Sequence, residues 1–286
     1  MNERLVLLLG TLDIKPVRLS PVAGGDINDN FRVLTDRDQD LFVKMNRENR
    51  SKSVIMAEAK GLEMMRSVGV DNIPGEILIA ESEADACLVM PYYGKTNPST
   101  GAEWIVFFEN LARMHLVTHE VFGGSDNFIG YLPQINSPRN NWVTFFIENR
   151  LGPQIGDALD AGYLGPRDEK SWDNLREKLP QLMPIERPAL IHGDLWSGNI
   201  LPTDRGILMI DPCPYFGHRE MDFAMMELFS GVPVRDYLDS YNDVYKLEKR
   251  LVDRIEIYQL YYLLVHLNMF GTAYLPSVRR IMEKFS

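Results

Sequence analysis

About two-thirds of the way along the chain, a polar cluster is set between apolar runs. It reads Leu190-Ile191-His192-Gly193-Asp194-Leu195-Trp196-Ser197-Gly198-Asn199-Ile200-Leu201, followed by Gly206-Ile207-Leu208-Met209-Ile210-Asp211-Pro212. Apolar residues leading in and out mark a loop pinned between buried strands. The order His-x-Asp-x-x-x-x-Asn, then Asp, suits phosphoryl transfer from a magnesium nucleotide. One Asp accepts the proton of the attacking hydroxyl, while the Asn and the second Asp hold metal ions. On this reading Asp194 is the catalytic base, and Asn199 and Asp211 are the metal ligands. Gly193 and Gly198 permit the tight turn that brings residues five apart to one side. Asp211 projects from the end of a strand over 206–210. The competing reading is a polar turn with an Asp cap.

Phosphoryl transfer also needs elements that hold a nucleotide. A strand over 16–22, the turn Ala23-Gly24-Gly25-Asp26-Ile27-Asn28 and a strand over 31–35 have the layout of a phosphate-covering loop. Gly24, Gly25 and Asn28 are its candidate contacts, although two glycines are also an ordinary hairpin connection. On a third strand, 40–45, Lys44 shares a face with Phe42, opposite Val43. Residues 53–68 fit a helix with Ile55, Glu58 and Leu62 on one face. A carboxylate on an apolar face needs a partner, and Lys44 is the nearest cation in a suitable element. A strand lysine paired with a helix glutamate is the ion pair that positions phosphates. Strands over 77–80 and 86–90 complete a five-stranded lobe with one helix. Met90, Pro91 and Tyr92 then form a hinge whose backbone groups could recognise an adenine ring.

From residue 101 the chain is mainly helical. Trp104, Phe107, Phe108, Leu111 and His115 share a face, with His115 read as a satisfied core histidine. Further helices are expected over 141–151, 168–182, 220–230 and 251–269, the last a long amphipathic stripe through Tyr258 and Tyr262. His218, Arg219, Glu220 and Asp222 read as a structural network that braces the loops. The expected division is 1–90, a nucleotide-binding lobe, and 91–286, a catalytic and substrate lobe.

Composition narrows the partners. The 286 residues carry a net charge of −10, without a run of Lys or Arg, which argues against nucleic acid and against a membrane surface. Cys87 and Cys213, both in apolar surroundings, suggest reduced thiols and a cytoplasmic location. The apolar run over 5–9 is too short to span a bilayer and lacks a cleavage site. Oligomeric state is not legible.

With these residues in place, the chain resembles the protein-kinase-like fold in its aminoglycoside and choline phosphotransferase variant. Within that group it is similar to the fructosamine kinase (ketosamine-3-kinase) family. The resemblance is carried by Gly24-Gly25-Asp26-Ile27-Asn28, Phe42-Val43-Lys44-Met45-Asn46, Phe145-Phe146-Ile147-Glu148-Asn149-Arg150-Leu151, the loop from His192 to Asn199, and Asp211-Pro212 with Gly217-His218-Arg219-Glu220-Met221-Asp222. It covers nearly the whole chain, and the Leu195-Trp196-Ser197-Gly198 insert distinguishes this family from kinases that share only the Asp and the Asn. Asp26 stands where the family usually has a small residue, and Pro91 where an acidic hinge residue is common.

The resemblance implies an α+β, two-lobed protein-kinase-like fold, with a small antiparallel five-stranded N-lobe bearing one helix and a larger, mainly helical C-lobe. It implies ATP and Mg2+ as cofactors and a ketoamine acceptor, free or protein-linked. The acceptor's sugar C3 hydroxyl would be phosphorylated as deglycation repair, with Trp196 either stacked on the sugar or packed beside the loop. Two other readings stay open: a kinase for an aminoglycoside, choline or another sugar, and a nucleotide-binding regulator without turnover.

Overall fold

The computed structural model describes residues 3–22, 28–47, 52–96 and 101–286. Its contacts divide the chain into two compact units, one of residues 1–107 with 199–213, the other of 108–198 with 214–286. The architecture is mixed α+β, with one five-stranded antiparallel sheet and a predominance of helix elsewhere.

In the first unit, helix α1 (Glu3–Thr11) precedes strands β1 (Pro16–Pro21), β2 (Asn28–Thr35) and β3 (Asp40–Asn46). Helix α2 (Ser53–Arg66) and strands β4 (Leu78–Glu81) and β5 (Ala86–Pro91) follow, and the sheet order is β1-β2-β3-β5-β4. Alternation gives the sheet two chemically different faces. One carries Val33, Val43, Met45, Ala80, Cys87 and Val89, and it is sealed by Leu5, Leu8 and Leu9 of α1. The run over 5–9 is therefore helical, with spacings of three and one that put three leucines on the core side and leave Leu7 exposed. The other face carries Phe42 and Lys44 of β3, with Leu88 and Met90 opposite them on β5. α2 buries Ile55, Glu58, Ala59, Leu62 and Met65, the stripe expected of it.

The second unit begins within helix α3 (Gly101–His115) and continues through the short hairpin β6 (Asn127–Ile129)–β7 (Leu132–Gln134). Helix α4 (Trp142–Phe146) runs into a π-helical turn, Ile147–Leu151, and then into α5 (Gly152–Asp160). The sequence suggests one regular helix over 141–151; the wide turn differs because it turns two consecutive residues inward. Asn149 donates to Ile135 O at 3.2 Å, and the fully buried Arg150 donates to Ile135 O at 2.9 Å and Asn136 Oδ1 at 2.5 Å. An α-helix would place neighbours about 100° apart, with only one facing the core.

Helix α6 (Pro166–Leu182) and strand β8 (Ala189–Ile191) follow. The chain next forms the hairpin β9 (Ile200–Thr203)–β10 (Gly206–Met209), which belongs to the first unit. β11 (Tyr215–Gly217) pairs with β8, and helices α7 (Glu220–Leu228), α8 (Val234–Val244), α9 (Leu251–Phe270) and α10 (Leu275–Phe285) complete the chain. Among the described residues no helix is long and apolar enough to cross a membrane.

Among the second unit's positive-φ glycines, Gly123 also meets backbone closely. Gly123 sits at φ +115° and exchanges backbone hydrogen bonds with Phe216 at 2.8 and 2.9 Å. A Cβ there would stand 2.4 Å from Asn136 O. Gly123→Ala should therefore cost about 3 kcal/mol or more, a fall of roughly 10 °C in melting temperature for a chain of this size. Gly156, inside α5, is the control, because a methyl group added there would meet nothing within 4 Å. Gly156→Ala should be neutral or stabilising by up to about 1 kcal/mol, and thermal unfolding of the two variants reads the contrast.

Candidate active site

The first unit carries a cation shared by two acids. Lys44 Nζ lies 2.8 Å from Glu58 Oε1 and 2.6 Å from Asp211 Oδ1. Lys44 and Glu58 are buried, and the Asp211 side chain is 39% exposed. The pairing expected from the sequence is thus present, with a third member that spacing alone does not reveal. Burial by itself would lower the Lys44 ammonium, but the charges of Asp211 and Glu58 outweigh it, so Lys44 is held firmly protonated. Burial pushes the Glu58 carboxyl up; Lys44 opposes this, Asp211 adds to it, and the result is a rise to about 8. Two acids share one ammonium, so one of them retains its proton more easily than a free carboxylate.

The β9–β10 hairpin explains how Asn199 and Asp211 come together. Ile200 pairs with Met209, so Asn199 faces Ile210 one step beyond the ladder, and Ile210 N donates to Asn199 O at 3.0 Å. Asp211 follows at φ +55°, a left-handed conformation that Asp tolerates better than most residues. The hairpin is fixed from the side by Asn72, whose O accepts from Met209 N at 2.7 Å and whose Nδ2 donates to Ile207 O at 2.5 Å. Among the described residues no group of three or more His, Cys, Asp or Glu could hold a metal ion. The Asn199–Asp211 pair nonetheless fits Mg2+, which takes oxygen ligands and fills its remaining positions from phosphate and water.

The other expected nucleotide contacts fall unevenly. Gly24 and Gly25, with Asp26, lie outside the described residues. Asn28 opens β2 and is buried, with an Oδ1 that has no hydrogen-bond partner among the described residues. Met90 and Pro91 end β5. Tyr92 N is committed to Asp40 O at 2.9 Å, and Pro91 has no N–H. Neither residue therefore has a backbone N–H to offer a ligand.

In the second unit, the loop that carries Asp194 is bolted by its backbone. Asp222, fully buried on α7, accepts from His192 N at 2.8 Å and from Gly193 N at 2.9 Å. His115 Nε2 donates to the same carboxylate at 3.1 Å, and His115 Nδ1 bonds Tyr241 Oη at 2.8 Å. Carboxylates only accept, so the hydrogen sits on Nε2 and Tyr241 donates to Nδ1. Arg219 donates to Tyr241 Oη at 3.3 Å and clasps Glu186 at 2.6 and 2.9 Å. From α9, Tyr262 Oη donates to Gly193 O at 2.9 Å. Asp194 N donates to His192 Nδ1 at 3.2 Å, and Asp194 O accepts from Trp196 N at 3.2 Å. Of the four residues read from the sequence as a bracing cluster, Arg219 and Asp222 belong to this network, while Glu220 pairs with Arg254 and His218 hydrogen-bonds Tyr258 Oη at 3.1 Å. Tyr241, Glu186 and Tyr262 are members the sequence reading did not place in it; for the two tyrosines the signal was a hydroxyl, which cannot be buried without a partner.

Gly198 serves a side chain and not a turn dihedral. A Cβ there would lie 2.3 Å from the Trp196 ring, so the indole folds flat over the glycine. Trp196 stays 38% exposed and meets Phe229 edge to face at 6.0 Å.

Comparison with known proteins gives one consistent result. The family model described as "Fructosamine kinase" matches residues 9–286. A protein of Enterococcus faecium named "Probable ketoamine kinase" is 35% identical over 272 residues, covering 94% of this chain and 95% of its own. The solved candidate fructosamine-3-kinase of Thermobifida fusca is 33% identical, with a TM-score of 0.84 over 98% of this chain and 96% of that one. A macrolide 2'-phosphotransferase from Brachybacterium faecium, 11% identical with a TM-score of 0.63 over 98% of this chain and 97% of that one, shares the fold alone.

The buried titratable groups set opposing pH dependences. Burial keeps His115, His218 and His266 below the ordinary 6.5, so below that pH the unfolded chain binds protons more readily. Their contribution to stability is complete above 6.5 and is lost as pH falls. Glu58 acts in the opposite sense. Between its ordinary 4.5 and about 8 the folded protein keeps a proton that the unfolded chain releases, so stability declines as pH rises through that window. Below 6.5 three imidazoles outweigh one carboxyl. The urea midpoint should therefore fall on both sides of about pH 6.5, and Glu58→Gln should abolish the alkaline decline while keeping the acid one. A variant whose alkaline decline matches that of the wild type would show that Glu58 is not the group responsible.

Proposed function

The chain belongs to the fructosamine kinase family, and from that premise we propose that this ATP-dependent phosphotransferase acts on ketoamines, at the C3 hydroxyl of the sugar. The observation that carries the reading is the Lys44 ammonium held by Glu58 and Asp211. A buried cation fixed in this way is a pre-positioned contact for phosphate oxygens, and its geometry costs nothing to organise when the nucleotide arrives.

Asp194 accepts the proton of the attacking hydroxyl. The sugar oxygen bonds to the γ-phosphorus as the bond to the β,γ-bridging oxygen breaks, and ADP leaves with that electron pair. Asn199 and Asp211 hold Mg2+, which neutralises charge on the phosphates when bound. Residues 1–90, with Gly24, Gly25 and Asn28, serve the nucleotide, whose adenine lies by Met90, Pro91 and Tyr92. Residues 91–286 serve catalysis and the acceptor, with Trp196 stacked on the sugar. A C3-phosphorylated ketoamine is unstable and releases its amine, so the reaction fits deglycation repair. The buried thiols Cys87 and Cys213, neither in a disulfide, fit a cytoplasmic setting.

Because a general base contributes about 10² to 10⁴ in rate, Asp194→Asn should lower kcat at least that far with an unchanged melting temperature. The assay is ADP release with fructosyl-, ribulosyl- and erythrulosyl-amines as acceptors. Turnover of choline or an aminoglycoside in place of all three would overturn the ketoamine reading. Near-normal activity of Asp194→Asn would overturn the assignment of the base.

A further inference from the structure

Helix α9 carries Tyr262, His266 and Phe270 at intervals of four, so the three side chains climb one face. Tyr262 is anchored on Gly193 O, next to Asp194. From that anchor the row extends about 12 Å, at 1.5 Å per residue. His266 is the centre of a ring cluster, with Phe229 at 4.8 Å, Tyr274 at 5.1 Å and Phe270 at 5.5 Å. Phe229 joins the cluster to Trp196. Trp196 at one end and Phe270 at the other are 38% and 51% exposed, so the row of rings opens to solvent at both ends.

His266 adds a directed polar group. Its Nδ1 lies 2.8 Å from Tyr262 O, and a carbonyl only accepts, so Nδ1 carries the hydrogen. Nε2 then presents a lone pair, and among the described residues no hydrogen bond reaches it. Burial holds the ring below its ordinary value, which keeps that lone pair available at neutral pH. A purely packed cluster would be served by aliphatic residues. A free acceptor ringed by π-faces suits a cation that also carries an N–H.

Resting on the ketoamine reading, we propose that this aromatic row is the subsite for the amine end of the acceptor. With the sugar on Trp196 beside Asp194, the adjoining secondary ammonium lies among Phe229, His266 and Phe270 and donates its N–H to His266 Nε2. The carbon chain beyond it runs along Phe270 and Tyr274. The row thereby selects for a charged amine next to the sugar and against a neutral glycoside.

The test compares two acceptors with the same ketose, one an N-alkyl amine and the other an ether in which oxygen replaces the nitrogen. A desolvated cation–π contact is worth roughly 2- to 30-fold in affinity. The wild type should thus prefer the amine by about 10-fold or more in kcat/KM, expressed through KM. His266→Leu and Phe270→Leu should each bring that ratio toward one. Phe270 is half exposed, so its variant remains informative if His266→Leu fails to fold. If the wild type phosphorylates neither compound, the ketoamine reading itself fails. If it uses both equally, or if the ratio in both variants stays at the wild-type value, the kinase reading survives and the amine subsite is overturned.

Discussion

A buried ammonium is the constraint on which the first unit depends. Lys44 cannot be both desolvated and charged unless acids surround it, because an isolated ion in a low-dielectric interior is very costly. Glu58 supplies one acid from α2 and Asp211 the other from the chain just beyond β10. One cation therefore fixes the rotation of a helix, the face of a sheet and the end of a distant hairpin. Losing either acid leaves a buried charge partly uncompensated. Burial raises Glu58, and the second acid of the trio adds to that rise. On the proposed reading, the part-exposed Asp211 takes the divalent ion while Glu58 keeps the lysine.

The second unit applies the same rule with signs reversed. Asp222 is a buried anion whose neighbours in contact are neutral donors. Two backbone N–H groups and the His115 imidazole satisfy it. Three hydrogen bonds to a carboxylate in a dry interior are strong, and two of them come from the residues immediately before Asp194. The anion's need for donors becomes a fixed backbone for the loop. Tyr241 and Arg219 extend the chain of donors to Glu186, so the orientation of His115 is determined at both ring nitrogens.

The sequence made some of this legible and hid the rest for physical reasons. Glu58 on an apolar helix face announces a partner, and a lysine on the preceding strand is the obvious one, so their pairing was readable. That Asp211 shares the same ammonium was not, because the two residues are 167 positions apart and only tertiary placement joins them. The five strands follow from alternation and turn residues. Helix α1 is nine residues long and shows as an apolar run, too short for period alone to separate helix from strand. The π-turn at 147–151 is invisible to a period of 3.6, since it differs from an α-helix by a single inserted residue. Trp196 and Gly198 were each noticed, but as a stacking residue and a turn residue. Their mutual contact, in which the indole covers the glycine, needs coordinates.

The net charge of −10 is the last apparent conflict, because an acidic protein repels a polyanionic nucleotide at long range. The local field resolves it. Screening confines exposed charges to about 8–10 Å in salt, whereas a desolvated ammonium acts at short range in a medium of low dielectric. Many exposed acids are also already neutralised by neighbours, among them Asp40 by Arg32 at 2.6 Å and Glu148 by Arg139 at 2.6 Å. On the proposed reading, what a phosphate meets is set by Lys44 and by the metal ion that Asn199 and Asp211 would hold, and not by the sum over the surface. The overall acidity then has a separate consequence. It disfavours nonspecific association with nucleic acids and anionic membranes.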